Sequence, residues 1–564
     1  MKQSAHQRIQ EIQKAFLSPD MANIQDLERY IHMTWEQIGD RLTASPIRVG
    51  QTDTASYLHR VENATIPEQF SGSEALLGDL AFYMQGLLKW NSPGVMINVN
   101  PPAMTLPIAA TACCSMFNPN LAMDVPSGNL AFAELEVMKM LSDLAMWDPH
   151  KSAGVMTFGG KGTVLYAVRA GLHNCCPQLR QLGIHNQKFK VFSTEQGHPC
   201  HYEVCEWLGI GRDNCVRLPV NADGTTRLDL LEQGLREAIR NGYRIACIVA
   251  NGGSTLYATV DKIDKIVAIR DAMVQEFSLD YIPHIHVDSV IGWAWLMFRG
   301  YDFRHNPLGF TDDALEHIRH VYEAIRHIEK ADSFGADFHK TGFSPYLCSA
   351  VVFKDKKKLY ALGEENQAPL DQLEFGLYAP FTFTLESSRP ATSALSAWLS
   401  LKQLGKDGYR RILGTLAESG SDLRSHFENA PYARCRNLSG HGFAALAMLF
   451  PTDLRQRSRQ NLESFTDDEL LRIAKYNHTF YLYLLGKQVH NEVDFALDYV
   501  SKQTDVRGIK IGVMKLYPMS PFCTLDYLDG FYDQFEAILA EFDQTWETLD
   551  LQDSPYRPKP FVTR

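Results

Sequence analysis

The chain has 564 residues, of which 45% are hydrophobic, 21% charged and 11% aromatic, a composition typical of a soluble globular protein. Its formal net charge of −11 at pH 7 argues against a protein that binds nucleic acid or an anionic membrane, because both need an excess of Lys and Arg. The 11 cysteines include no pair of CxxC motifs and no apolar run is long enough to span a bilayer, so we expect a cytoplasmic protein without a metal site.

Residues 1–90 are predicted to be helical, because apolar side chains recur every three or four residues, as at Ile9, Ile12 and Phe16. Residues 91–394 then alternate short apolar segments with helix-length segments. The predicted strands cover residues 188–193, 245–251, 282–288 and 347–353. This alternation is typical of a mostly parallel sheet covered by helices, and it predicts a large α/β domain.

Residues 395–564 have a different pattern. A helix at 394–403 is followed by two strand-like segments, 443–450 and 509–514, and by a long amphipathic helix at 525–542. The pattern predicts a smaller C-terminal α+β domain.

The first candidate site is the glycine-rich segment Thr157-Phe-Gly-Gly-Lys-Gly-Thr163, which precedes a predicted helix. Glycines let the backbone approach an anion, and the amides at a helix start carry partial positive charge. We therefore predict a phosphate contact through Gly160, Lys161, Gly162 and Thr163. Taken alone, such a segment is more often an ordinary turn.

Two further candidates follow predicted strands. His198 stands just after residues 188–193, where an imidazole is able to stack on a flat heteroaromatic ring, and His201 is a rival for that role. Asp288 ends a buried strand and needs a partner, which a pyridinium N–H would supply. The alternatives are a surface histidine and a structural ion pair or helix cap.

The fourth candidate is Lys340, which precedes the predicted strand at 347–353. A lysine that forms a Schiff base near neutral pH needs an amine with a lowered pKa. Most lysines are surface groups, so the order of the four segments carries more weight than this residue alone.

This order of phosphate loop, histidine, aspartate and lysine resembles the group II amino-acid decarboxylases, which depend on pyridoxal 5'-phosphate (PLP) and act on glutamate, tyrosine and other aromatic amino acids. Two further segments, Glu134-Leu-Glu136 and residues 249–261, are similar to motifs of that family. The stretch His339-Lys-Thr-Gly-Phe-Ser-Pro-Tyr346 is most similar to its bacterial tyrosine-decarboxylase-like members.

The resemblance implies the type I fold of PLP-dependent transferases (aspartate-aminotransferase-like), with PLP bound covalently to Lys340. It further implies that His198 stacks on the cofactor, that Asp288 binds its ring nitrogen, and that the other contacts are Ser254, Thr255, Val290 and His339. Val290, Lys161 and Trp293 depart from the usual family residues, which leaves the substrate open. Arg389 is either a substrate-binding cation or a structural ion-pair partner.

The expected activity is α-decarboxylation of an aromatic or acidic L-amino acid to an amine and CO2. Family members use a tyrosine on a mobile loop as the proton donor, and Tyr378, after the irregular stretch with Glu364, Glu365, Asn366 and Pro369, is the candidate here. The alternatives are oxidative decarboxylation–deamination to an aldehyde, carbon–carbon lyase chemistry, and a binding protein without activity. The resemblance also implies a homodimer with sites at the subunit interface and N-terminal helices that wrap the partner.

Overall fold

The computed structural model describes residues 9–10, 12–53, 56–184, 187–363 and 372–549. Its strands are β1 (Val95–Met96), β2 (Ala153–Thr157), β3 (Phe189–Thr194), β4 (Cys215–Leu218), β5 (Arg244–Asn251), β6 (His284–Asp288), β7 (Ser333–Asp337), β8 (Ser349–Phe353), β9 (Ala433–Cys435), β10 (Ala445–Leu449), β11 (Ala496–Val506) and β12 (Ile509–Leu516).

The α-helices are α1 (Ile24–Thr43), α2 (Tyr57–Glu62), α3 (Leu77–Tyr83), α4 (Thr105–Ser115), α5 (Asp124–Ser127), α6 (Leu130–Leu144), α7 (Gly160–Cys175), α8 (Leu179–Leu182), α9 (Cys200–Trp207), α10 (Leu228–Arg240), α11 (Ile263–Glu276), α12 (Asp312–Ile325), α13 (Lys356–Tyr360), α14 (Thr392–Asn429), α15 (Asp467–Val489) and α16 (Leu525–Asp543). Among the described helices, none combines the length and the apolar character that crossing a bilayer requires.

Seven strands form the main sheet in the order β2-β8-β7-β6-β5-β3-β4. Neighbours run parallel from β7 through β6, β5 and β3 to β4, whereas β8 is antiparallel to both β7 and β2. The prediction of a mostly parallel α/β sheet is confirmed. Because parallel strands end at the same edge, residues that follow β3, β6 and β7 are brought together there.

Helices cover both faces of this sheet, as the side chains of β5 illustrate. Ile248 and Ala250 pack into one hydrophobic cluster, whereas Cys247 and Val249 pack into another. Successive side chains of a strand point to opposite faces, so both faces are buried. Helix α7 contacts β5, β6, β7 and β8, which fixes its first residues beside the ends of those strands.

A second sheet has the order β1-β11-β12-β10-β9, and α15 packs on its strand β12. This agrees with the α+β pattern predicted for the C-terminal part. Strand β1 also belongs to this sheet, because Val95 pairs with Ala496, and α14 runs through the predicted boundary at 394/395. The division at residues 90 and 394 stays a prediction.

Candidate active site

Lys340 follows the end of β7 and forms an ion pair with Asp337, whose Oδ2 lies 2.9 Å from the amine Nζ. Asp337 is buried, and its Oδ1 accepts a hydrogen bond of 2.7 Å from Ser349 Oγ. Burial alone would lower the pKa of the Lys340 amine, but the charges of Asp337 and Asp288 raise it above its ordinary value. The lowered pKa was expected beside the cofactor and stays a prediction, whereas in the chain without cofactor the two buried carboxylates dominate.

Asp288, at the end of β6, is held by His201. The Nε2 of His201 lies 2.9 Å from Asp288 Oδ2, and the Nδ1 of the same ring lies 2.5 Å from Ser193 Oγ. Burial would raise the pKa of the Asp288 carboxyl, but the hydrogen bond and charge of His201 hold that pKa well below its ordinary value. Asp288 Oδ1 is buried and has no hydrogen-bond partner among the residues described.

His198 and His201 were rivals for a stacking role, and their exposures differ. His201 is 0% exposed, so no ligand reaches its ring. His198 is exposed two residues before α9 begins, and its Nδ1 accepts a hydrogen bond from the Cys200 amide at 3.1 Å. Only His198 presents an accessible ring, and its stacking on the cofactor stays a prediction.

The glycine-rich segment lies beside the same cluster. Gly159 has a φ of +115°, a conformation that side chains with a Cβ rarely adopt, and α7 begins at Gly160. A Cβ at Gly160 would lie 2.8 Å from Asp337 Oδ2 and 3.1 Å from Val290 Cγ1. Glycine at this position therefore lets the helix start pack against the acid that holds Lys340.

The remaining residues of the loop have protein partners. Thr163 is buried, and its hydroxyl donates to Gly160 O at 2.7 Å. The Gly162 amide donates to Gly159 O at 2.8 Å. Lys161 Nζ lies 2.6 Å from Glu203 Oε2, so its amine is held by α9 in the chain without ligand. Phosphate binding by these residues stays a prediction.

Ser254 and His339, which were predicted to contact a cofactor from other loops, also have partners within the protein. Ser254 Oγ accepts a hydrogen bond of 3.1 Å from the Thr259 amide, which closes the loop that contains Thr255. His339 is buried, and its Nδ1 lies 2.8 Å from Cys348 O. Their contacts to a cofactor stay predictions as well.

Tyr378 lies in a buried network. Its hydroxyl donates to Glu134 Oε2 at 2.7 Å, and Arg389 donates to both oxygens of Glu134, at 2.5 and 3.0 Å. Of the two readings of Arg389, these contacts favour the ion-pair partner. The stretch with Glu364, Glu365, Asn366 and Pro369, which was predicted to form a mobile loop, lies outside the described residues.

Tyr346 lies near Lys340, and the sequence assigned it no role beyond its place in the motif. It is 59% exposed, its ring centroid lies 4.2 Å from that of His339, and its hydroxyl donates to Asn100 Oδ1 at 2.6 Å. Its position six residues after Lys340 in a turn-rich segment was the signal available in the sequence.

The geometry fits PLP. The cofactor needs a phosphate cradle, an amine and an acceptor for its ring N–H. The start of α7 offers a glycine-rich cradle, Lys340 offers the amine, and Asp288 Oδ1, which no described residue contacts by a hydrogen bond, offers the acceptor. The three features lie on adjoining loops at one edge of the main sheet.

The chain is similar to known PLP enzymes. A model of the pyridoxal-dependent decarboxylase conserved domain matches residues 56–433. The chain is 26% identical over 418 residues to an L-tyrosine decarboxylase of Enterococcus faecalis, which covers 67% of this chain and 63% of that protein. It is 22% identical over 363 residues to an L-2,4-diaminobutyrate decarboxylase of Acinetobacter baumannii, which covers 61% of this chain and 64% of that protein.

The chain thus matches less than two thirds of the length of either relative. Among solved structures, mouse CSAD in its apo form superposes with a TM-score of 0.75 at 16% identity, over 91% of this chain and 99% of that chain. At that identity the superposition establishes the shared fold.

Proposed function

The chain belongs to the pyridoxal-dependent decarboxylase family, and from this premise we propose that it decarboxylates an L-amino acid with PLP as cofactor. The observation that carries the proposal is the buried Asp288, whose Oδ1 has no partner among the described residues, at the sheet edge that also presents Lys340. A buried acceptor without a partner is unfavourable, so a cationic N–H donor is the ligand this position suits.

When bound, PLP draws off the electrons that the breaking Cα–carboxylate bond releases. Lys340 would hold the cofactor, and its ammonium must first lose a proton to become a nucleophile. Asp337 Oδ2, 2.9 Å from Nζ, is placed to accept that proton. Asp288 would keep the ring nitrogen of the bound cofactor protonated, and His198 would cover the ring and exclude water from it.

The proton that replaces CO2 has two candidate donors. Tyr378, the donor expected from the family, is buried and donates to Glu134, so it would have to leave a network with Arg389 before reaching a substrate. Tyr346 is exposed and packs against His339, the neighbour of Lys340. This contrast supports Tyr346 as the donor.

The surroundings support an aromatic substrate. Phe158, Tyr346 and Leu347 are exposed apolar side chains beside the loop and the lysine, and Leu347 packs 3.5 Å from the position of a Cβ at Gly159. Lys161 and Arg389 are already paired with acids, so neither is ready to bind a second carboxylate. An acidic amino acid such as glutamate or aspartate is the alternative.

A homodimer is the assembly we propose. Tyr57, Leu58 and Val61 on α2 are 71%, 68% and 73% exposed, and an apolar helix face this open is typical of a subunit interface. Sedimentation equilibrium of the holoenzyme tests this, and a monomer mass at micromolar protein would contradict it.

The activity test uses Lys340→Ala. The control is Lys354→Ala, because Lys354 is an exposed lysine that follows the motif in the sequence. Each protein is incubated with PLP and a panel of aromatic, acidic and basic L-amino acids, and CO2, amine and ammonia are measured together. We expect CO2 and amine in equal amounts from the unchanged chain and the control, and neither from Lys340→Ala. Ammonia and aldehyde in place of the amine would indicate oxidative chemistry instead.

A further inference from the structure

The ring of His201 is enclosed by its neighbours, and a nearby glycine leaves the space that it occupies. The residue is fully buried on the first turn of α9, with one nitrogen facing Asp288 and the other facing Ser193. A Cβ at Gly197 would lie 2.8 Å from His201 Nδ1 and 2.8 Å from Ser193 Oγ. Glycine at 197 is therefore required by the histidine that occupies this place, since any larger residue would displace the ring.

The hydrogen bonds fix the tautomer of this ring. An ionised carboxylate only accepts hydrogen bonds, so His201 Nε2 carries a hydrogen and donates it to Asp288 Oδ2. Ser193 Oγ is able to donate or accept, so it satisfies Nδ1 whether the ring is neutral or charged. Ser193, His201 and Asp288 are thus linked by a series of buried hydrogen bonds. The series ends at the acid that would face the cofactor.

This series of hydrogen bonds determines which oxygen of Asp288 is available. Oδ2 is occupied by His201, and Oδ1 has no partner within the part of the chain that the structure describes. A donor fixed on one oxygen holds the carboxylate plane in one orientation and favours its ionised form. Only an ionised Asp288 keeps a ring nitrogen protonated.

We propose that His201 is a positioning residue, which holds Asp288 ionised and turned so that Oδ1 faces the ring nitrogen of PLP. The inference rests on the proposed function. It differs from a stacking role, because a fully buried ring does not touch the cofactor.

The test compares His201→Leu, which removes the donor, with His201→Gln, whose side-chain amide still reaches Asp288 with an N–H. The readouts are the dissociation constant of PLP and the absorbance spectrum of the bound cofactor in the reconstituted holoenzyme. We expect His201→Leu to weaken PLP binding by about tenfold to a hundredfold, the size of a lost hydrogen bond to a charged group. The spectrum should change with it, and His201→Gln should restore most of both.

A double-mutant cycle separates positioning from general packing. In an Asp288→Ala background, which has no side-chain acceptor for His201, His201→Leu should change PLP affinity by less than about twofold, because its target is gone. The same tenfold or greater loss in both backgrounds would overturn the proposal. Ser193→Ala, which removes the support of Nδ1, provides a milder variant if His201→Leu does not fold, and it should shift the spectrum in the same direction. A Ser193→Ala spectrum identical to that of the unchanged chain would then contradict the proposal.

A matched control is His284→Gln, a buried histidine of β6 that faces Ser333, and its PLP affinity should stay at the original value. Cys200, His201 and Asp288 also place one ligand atom each within 4.8 Å of one another, so stoichiometric metal in the purified holoenzyme would contradict the positioning role. A chain that binds no PLP or releases no CO2 defeats the proposed function. Normal binding and activity in both His201 variants defeats only this inference.

Discussion

Two buried carboxylates, Glu134 and Asp288, are satisfied to different degrees. Both oxygens of Glu134 are used: Arg389 donates to each, Tyr378 donates to Oε2 and the Met156 amide donates to Oε1. Asp288 has His201 on Oδ2 and no described partner on Oδ1. A buried acceptor without a partner costs about 1–3 kcal/mol. The filled carboxylate therefore stabilises the fold, whereas the open one is the one that we propose binds a ligand.

The largest effect is expected from Glu134→Gln, which tests the structural half of this contrast. The change leaves the Arg389 guanidinium buried without its counter-charge, so the free energy of unfolding should fall by about 3–5 kcal/mol. Denaturant titration of the chain without PLP measures it. Glu136→Gln on the same helix, where the carboxylate is exposed, is the control and should cost below about 1 kcal/mol. Equal losses in the two variants would remove the contrast.

Asp288→Asn tests the functional half. Asparagine keeps an acceptor for His201 but carries no charge to hold a proton on the ring nitrogen. Amine release should fall at least about 100-fold, as when a charge-stabilising group is removed from an active site. The unfolding free energy without PLP should change far less than in Glu134→Gln. A variant that keeps its activity, or loses as much stability as Glu134→Gln, would show that Asp288 is structural too.

The sequence predicted the residues at strand ends better than the contacts between distant elements. Asp288 was identified because it ends a predicted apolar strand, where open α/β sheets place ligands. Lys340 was identified because it precedes the predicted strand at 347–353 and completes the order of the four segments. The network of Glu134 was not predicted. Tyr378 lies 244 residues from Glu134 and Arg389 lies 255 residues from it, and no local pattern specifies which distant side chains meet.

Two contacts near the site could not be predicted for the same reason. The ion pair of Lys340 with Asp337, three residues away, depends on the turn after β7, which directs the two side chains toward each other. His201 was considered only for stacking, since the sequence gives its distance from His198 but not its burial. Both roles depend on which way a side chain points, and that follows from packing rather than from spacing.

Replacing each tyrosine with phenylalanine tests whether Tyr346 and Tyr378 differ as their surroundings do. Tyr346→Phe should lower amine release by about 100-fold, the size expected for a lost general acid, with little effect on stability because the side chain is exposed. Tyr378→Phe should reduce stability by about 1 kcal/mol through the lost bond to Glu134 and leave the rate nearly unchanged. Single-turnover amine release and thermal unfolding measure the two effects. The reverse pattern would return the proton-donor role to Tyr378.

The smallest effect concerns two buried histidines on β6, to which the proposed function assigns no ligand. His284 and His286 share the Ser333 hydroxyl, and burial lowers the pKa of His284 to about 3 and that of His286 to about 4. In the unfolded chain a histidine has a pKa of about 6.5. Between these values the unfolded chain binds more protons, so stability is complete above about pH 6.5 and falls as the pH drops toward 4.

His284→Gln should flatten this fall by a few degrees of Tm relative to the unchanged chain, whereas the exposed His150→Gln should follow the original curve. Parallel curves for all three proteins would mean that the acid sensitivity arises from carboxylates instead, with Asp288, whose pKa is held low by His201, the first to examine.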